Sequence, residues 1–322
     1  MLRSVDRAVV RRRRLVALGV VAGVALVAGV AVGSSGGDGH GDAGARPKAG
    51  TAAPGAQAEA PAQLPGGGRR LLPDRRIVAY YGNPRDAELG ALGIGSPAHA
   101  TRRLLAQARP YARETRPVLP ALELISTVAT AAPGPSGLYR DHASSSMIAR
   151  YLKAARAAKA LLVLDIQPGR GQFGPEIERL ARWLRQPDVG LALDPEWHVG
   201  PDQVPGKVIG STDADVINAA AAYLAKIVKD DNLPEKLLLV HRFTDDMITR
   251  DERLRPYPGV ATVVNVDGFG SQVVKVAKYQ NFVKRTPRVH RGFKLFYKED
   301  ARTMRPAQVM AMSPRPDVIV YE

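Results

Sequence analysis

At 322 residues and a formal charge of +15, the chain can bury one large core. Its basic balance points to a polyanionic neighbour such as an anionic envelope polymer or lipid headgroups, although general arginine enrichment accounts for the charge equally well. No nucleic-acid-binding motif accompanies it, so nucleic acid is not an expected partner, and the lack of cysteine excludes a disulfide framework and a lipid-anchored cysteine.

Residues 1–14, MLRSVDRAVVRRRR, hold six arginines against Asp6. Residues 15–33 follow without a charge, and as a helix they would span roughly 28 Å, close to the hydrocarbon thickness of a bilayer. Arginines before an apolar run keep that end in the cytoplasm. The pattern predicts a basic cytoplasmic N-terminus and a transmembrane anchor, hence a single-pass cell-membrane protein with its C-terminal domain outside. A cleaved signal peptide is the alternative, giving a secreted protein. Residues 34–72 are Gly, Ala, Pro and Ser with few large apolar side chains. Such a stretch buries too little to offset its chain entropy and reads as a flexible linker, so His40 within it is given no role.

Residues 73–322 form the expected folded domain and carry +9 of the charge, against +5 on residues 1–14 and +1 on residues 15–72. Apolar runs recur at 76–82, 118–127, 160–167, 189–196, 236–243, 260–270, 292–300 and 317–322. Helical spacing behind Ser, Gly-Pro or Asp start signals appears at 144–159, 174–186 and 213–231. Further helices are expected at 96–114, 271–285 and 305–312. Runs that are apolar at every position read as strands buried on both faces, and their alternation with helices reads as βαβ units. Eight such units in 250 residues predict an α/β fold, a (β/α)8 TIM-type barrel. An open doubly wound sheet would show a Gly-rich phosphate loop after its first strand, and YYGNPRDAELGALG is not a GxGxxG. No helix follows the eighth strand, and residues 71–73 are expected to help cover that gap.

Barrels of this kind carry their sites at the C-terminal ends of the strands. Tyr81 and Asn83 stand there on the first strand, Glu123 on the second, Asp165 and Gln167 on the third, and Asp194 and Glu196 on the fourth. His241 follows on the fifth, Asn265 and Asp267 on the sixth, Lys294, Tyr297 and Lys298 on the seventh, and Glu322 on the eighth. Alternate residues of a strand share a face, so Asp194 and Glu196 are expected to face one space. The same holds for Asp165 with Gln167 and for Asn265 with Asp267. A carboxylate that ends a parallel strand is often a helix cap or a salt-bridge partner instead. His241 after LLLV is a core histidine or a ligand, and Trp197 a sugar-stacking platform or plain packing. Glu123, between two leucines, needs a partner, expected to be Lys294 or an arginine.

The segment VGLALDPEW resembles the signature of family-18 glycoside hydrolases, the chitinases and their relatives. Those barrels carry a DG-x-D-x-D-x-E run at the end of the fourth strand, and family-25 barrels carry a D-x-E pair near the same place. The resemblance implies that Asp194 is the last Asp of the run and Glu196 the proton-donating Glu. Ala192 stands where that motif has its middle Asp and Val189 where it has the first, so the Asp network of substrate-assisted chemistry is missing. More broadly, DIQPGRGQF, LALDPEW, QVPGKVIGS, LLLVHRFTDDMI, VDGFG and GFKLFYKED look like a family of uncharacterised bacterial exported proteins and lipoproteins. That likeness implies an extracytoplasmic domain and brings no activity.

Three functions fit these residues. The first is a glycoside hydrolase-like enzyme on an envelope or extracellular polysaccharide, which needs one carboxylic acid and a second carboxylate. Glu196 is the expected acid, and Asp194, Asp165 or Asp267 the second carboxylate. Tyr81, Glu123, Gln167, Trp197, His241, Asn265, Lys294 and Tyr297 are expected to hold the sugar, with no cofactor. The second is a metal-dependent hydrolase or isomerase, with a divalent metal held among Glu123, Asp165, Asp194, Glu196, His241 and Asp267. The third is a sugar- or polymer-binding barrel without turnover, for which Ala192 is the best sequence support.

Overall fold

The computed structural model describes residues 60–322. The basic segment 1–14, the apolar run 15–33 and most of the linker lie outside the described residues. Among the described residues, no helix is long and apolar enough to cross a membrane.

Eight parallel strands close on themselves. They are β1 (Arg76–Gly82), β2 (Val118–Ala129), β3 (Leu161–Ile166), β4 (Val189–Leu193), β5 (Lys236–Arg242), β6 (Val260–Val266), β7 (His290–Leu295) and β8 (Val318–Tyr321). Closure is made by β1, which pairs with β2 on one side and β8 on the other. The α/β barrel expected from the sequence is therefore the fold. Helices α1 (Pro97–Ala108), α2 (Ser145–Ala157), α3 (Phe173–Arg179), α4 (Ala181–Leu184), α5 (Ala214–Asp230), α6 (Gln272–Arg285) and α7 (Pro306–Met310) lie between the strands. The start signals act as caps: Ser96, Ser144, Asp213 and Ser271 each accept a first-turn backbone N–H through the side chain. Between β5 and β6 there is no α-helix, only the short strand Ile248–Thr249, paired with Thr212–Asp213, and a 3-10 turn, Asp251–Arg253.

Strand parity divides the core. Outward residues such as Val78, Leu122, Leu164 and Val240 pack under the helices, while Ile77, Ala79, Leu161, Val163, Leu239 and Val263 fill the barrel. The interior is completed from below by Leu64, Leu71 and Leu72, which are 3%, 0% and 3% exposed. The expectation that residues 34–72 are a flexible linker does not hold for Leu64, while Leu71 and Leu72, expected to cover a gap beside the eighth strand, pack against the barrel interior instead. The segment is fastened where β5 begins: the Glu235 carboxylate accepts the backbone N–H of Leu71 at 2.6 Å and of Leu72 at 3.0 Å. Arg69 donates to the Asn232 side chain and the Leu233 carbonyl.

Two features were not expected. β2 carries a bulge between Ile125 and Thr127 and runs on to pair antiparallel with Arg140–His142. That hairpin is held by Glu176 of α3, whose side chain is 2% exposed and contacts Arg140 at 2.6 Å, His142 at 2.9 Å and Arg179 at 3.2 Å. Burial pushes the Glu176 carboxyl up, but the hydrogen bond from His142 and the charges of His142, Arg140 and Arg179 outweigh it and hold it at about 2. A folded pKa below the ordinary 4.5 means that this stabilisation is complete above 4.5 and lost as the pH falls towards 2. Glu176→Gln is expected to lower stability by roughly 2–4 kcal/mol at pH 7, with the gap to the native chain narrowing at pH 3. Urea unfolding at the two pH values checks this.

Candidate functional site

The C-terminal mouth of the barrel holds a pocket of about 260 Å³. β4 ends at Leu193, earlier than expected, because Pro195 has no N–H to continue a ladder. Asp194 makes the last ladder contact, donating its N–H to Ile166 at 3.0 Å, and Pro195–Trp197 turn as a 3-10 helix. Asp194 and Glu196 thus do not share a strand face, yet the turn brings both to the same pocket, with Trp197 beside them. The turn is braced by the following loop. Gly210 donates its N–H to the Glu196 carbonyl at 2.6 Å. A Cβ on Gly210 would lie 2.2 Å from the His198 carbonyl oxygen, so no side chain fits there.

Tyr81, Gln167 and Lys294 also line the pocket. The Gln167 amide donates to the Tyr81 hydroxyl at 2.9 Å and accepts the Ala129 N–H at 3.1 Å. Lys294 Nζ lies 2.6 Å from Glu322 Oε2, 3.3 Å from Asp267 Oδ2 and 3.6 Å from the centroid of the Tyr81 ring. The same pocket has an apolar wall of Phe269 and Phe296, edge to face at 5.9 Å and clustered with Phe243 and Met247. At the rim Lys298 bridges to Glu88 at 2.6 Å, with both side chains more than half exposed. The sequence reading named Lys298 at the end of the seventh strand but missed the phenylalanine wall and Glu88. The apolar residues that follow β6 and β7 were its available signal.

Five predicted residues lie beneath the pocket rather than on it. Glu123, Asp165, His241, Asn265 and Asp267 are between 0% and 2% exposed. His241 and Asn265 are register partners on β5 and β6, and Gly292 opposite Asn265 leaves that amide its space. The partner of Glu123 is neither Lys294 nor an arginine, as expected, but His241, whose Nε2 lies 2.8 Å from Glu123 Oε1. His241 Nδ1 lies 3.2 Å from Asp267 Oδ2, and Nε2 lies 3.6 Å from Asp165 Oδ2. Burial and the Lys294 ammonium oppose a charge on His241, but Glu123 and Asp267 outweigh both and raise its pKa well above the usual histidine value. Burial and the Asp194 carboxylate push Asp165 well above the usual carboxylate range, further than His241 pulls it down. Burial and the same acids push the Tyr81 hydroxyl up.

Tyr297 belongs to neither group. Its ring stacks on Tyr321 at 5.3 Å, and its hydroxyl donates to Gln107 at 2.9 Å, in an aromatic cluster outside the barrel wall that includes Tyr80. β7 ends at Leu295, so strand parity no longer governs where residue 297 points. Tyr297 is not a pocket residue.

No family model matches the chain, and no curated protein matches it. Among solved structures, one described as a "Family GH13_31 enzyme" is similar, with 13% identity and a TM-score of 0.38. The match covers 77% of this chain and spans 65% of the length of that one.

Proposed function

We propose that the protein is a glycoside hydrolase-like enzyme acting on an envelope or extracellular polysaccharide, with Glu196 as proton donor and Asp194 as second carboxylate. The observation that carries this reading is that both acids come from a single turn and line one pocket at the barrel mouth. Glycosidic cleavage needs one carboxyl to protonate the leaving oxygen and another to act as nucleophile or base. Asp165 and Asp267 are less suited to the second role, being absent from the pocket lining that Asp194 and Glu196 share. Trp197 and the wall of Phe269 and Phe296 offer the aromatic faces on which a sugar ring stacks, and Lys294 and Gln167 offer donors for its hydroxyls. The basic and apolar segments 1–14 and 15–33 support attachment to a membrane with the barrel outside.

The test is release of new reducing ends by the full-length protein from peptidoglycan, chitooligosaccharides and other envelope glycans. Glu196→Gln is expected to lower turnover at least about a hundredfold while the fold is kept. Turnover unchanged in that variant removes Glu196 from the role. A second reading, a sugar-binding barrel without turnover, is favoured by Ala192, which is fully buried among apolar interior residues where the chitinase motif has an acid. Saturable glycan binding without turnover, surviving Glu196→Gln, would establish it.

A further inference from the structure

Glu123, Asp165 and His241 take no part in the chemistry proposed above. They come from β2, β3 and β5, point into the barrel, and are all fully buried. One donor atom from each, two carboxylate oxygens and an imidazole nitrogen, lies within 4.8 Å of the others. Hydrogen bonding among the protein groups does not satisfy the cluster. Glu123 Oε2 and both carboxylate oxygens of Asp165 are buried without a hydrogen-bond partner. Leaving such oxygens unmet in the interior is costly, and a single proton on His241 Nε2 can serve only one acceptor.

We infer that Glu123, Asp165 and His241 form a site for a divalent transition-metal cation, with Zn²⁺ the favoured occupant. One cation meets three acceptors at once, which one proton does not. The spacing suits it. Metal–ligand bonds of about 2.0–2.1 Å in a tetrahedron put neighbouring donors roughly 3.3 Å apart. His241 Nε2 lies 2.8 Å from Glu123 Oε1 and 3.6 Å from Asp165 Oδ2, on either side of that value. The outer partner of the histidine is also in place. A metal-bound imidazole commonly donates its other N–H to a carboxylate, which fixes the tautomer, and His241 Nδ1 has Asp267 Oδ2 at 3.2 Å. Charge points the same way. Glu123, Asp165, Asp194 and Asp267 are all at most 2% exposed, and Lys294 Nζ stands 3.3 Å from Asp267 Oδ2. Two oxygens and one nitrogen from the protein leave a fourth position for water, and the donor set suits Zn²⁺ or Mn²⁺ better than Ca²⁺. The cation would lie below the pocket floor, so the inference stands apart from the roles given to Asp194 and Glu196.

The full-length protein would be stripped with a chelator, reloaded separately with Zn²⁺ and Mn²⁺, and its metal content measured after desalting. A single equivalent of zinc retained per chain, with a higher melting temperature, is the expected result. Asp267→Asn should weaken binding about 10–100-fold and Glu123→Gln by more, while Asp194→Asn keeps the metal. Should the buried variants fail to fold, X-ray absorption at the zinc edge of the loaded native chain decides: one imidazole with oxygen ligands supports the site, and two or more imidazoles overturn it. Retention of neither metal by the folded native chain also overturns it. None of these readouts depends on glycan turnover, so the two proposals fail separately.

Discussion

A chain that begins at residue 73 is expected to be far less stable than one that begins at residue 60. The shorter chain loses Leu64, Leu71 and Leu72, which close the barrel interior beneath Ile77, Leu161 and Leu237. Emptying a buried leucine site costs about 2–5 kcal/mol, so three together cost roughly 6–15 kcal/mol, as much as a typical domain's whole stability. The cut also strips the Glu235 carboxylate of two backbone donors. Urea and thermal unfolding of the two chains measure the effect, and Leu71→Ala in the longer chain separates packing from chain length. Coincident melting curves would show that the segment is only laid against the barrel and does not hold it together.

Lys294→Met is expected to destabilise the domain by about 3–5 kcal/mol, since it removes the ammonium shared by two acids and leaves their charge at the barrel centre. Lys294 is 1% exposed, and its Nζ reaches Glu322, Asp267 and the face of Tyr81 at once. Methionine matches the length of the stem, so packing changes little and the loss is electrostatic. The control is the pair Lys294→Met with Asp267→Asn. If the charge is the cause, the double variant is more stable than the sum of the single losses predicts. Additive losses would mean that the ammonium is not coupled to Asp267.

Most of the strands were legible because they are buried on both faces and therefore apolar at consecutive positions, as in RIVAYYG and VATVVNV. The acids were legible for a related reason, standing where a run such as LLVLDI or VGLAL meets the mouth. Parity carried the reading only as far as each strand lasts. It grouped Asp194 with Glu196 correctly but through the wrong geometry, because Pro195 ends the ladder and a turn does the work of a strand face. It misplaced Tyr297, two residues past the end of β7. The partner of Glu123 was out of reach, since which side chains meet across a barrel depends on strand stagger, and neither spacing nor composition encodes that. Leu64 was hidden by the Gly-, Pro- and Ala-rich sequence around it, and Leu71 and Leu72, though expected to cover a gap, gave no sign that they close the barrel interior. The cluster about Glu176 was missed because its members are spread from Thr127 to Arg179.

The leucines under the barrel also set a direction. They enter where β5 starts, and the pocket opens where the strands end, so whatever precedes residue 60 is joined to the pole opposite the mouth. Attached through that stretch, the domain would be held at the pole away from its opening, which keeps the point of fixation clear of the pocket.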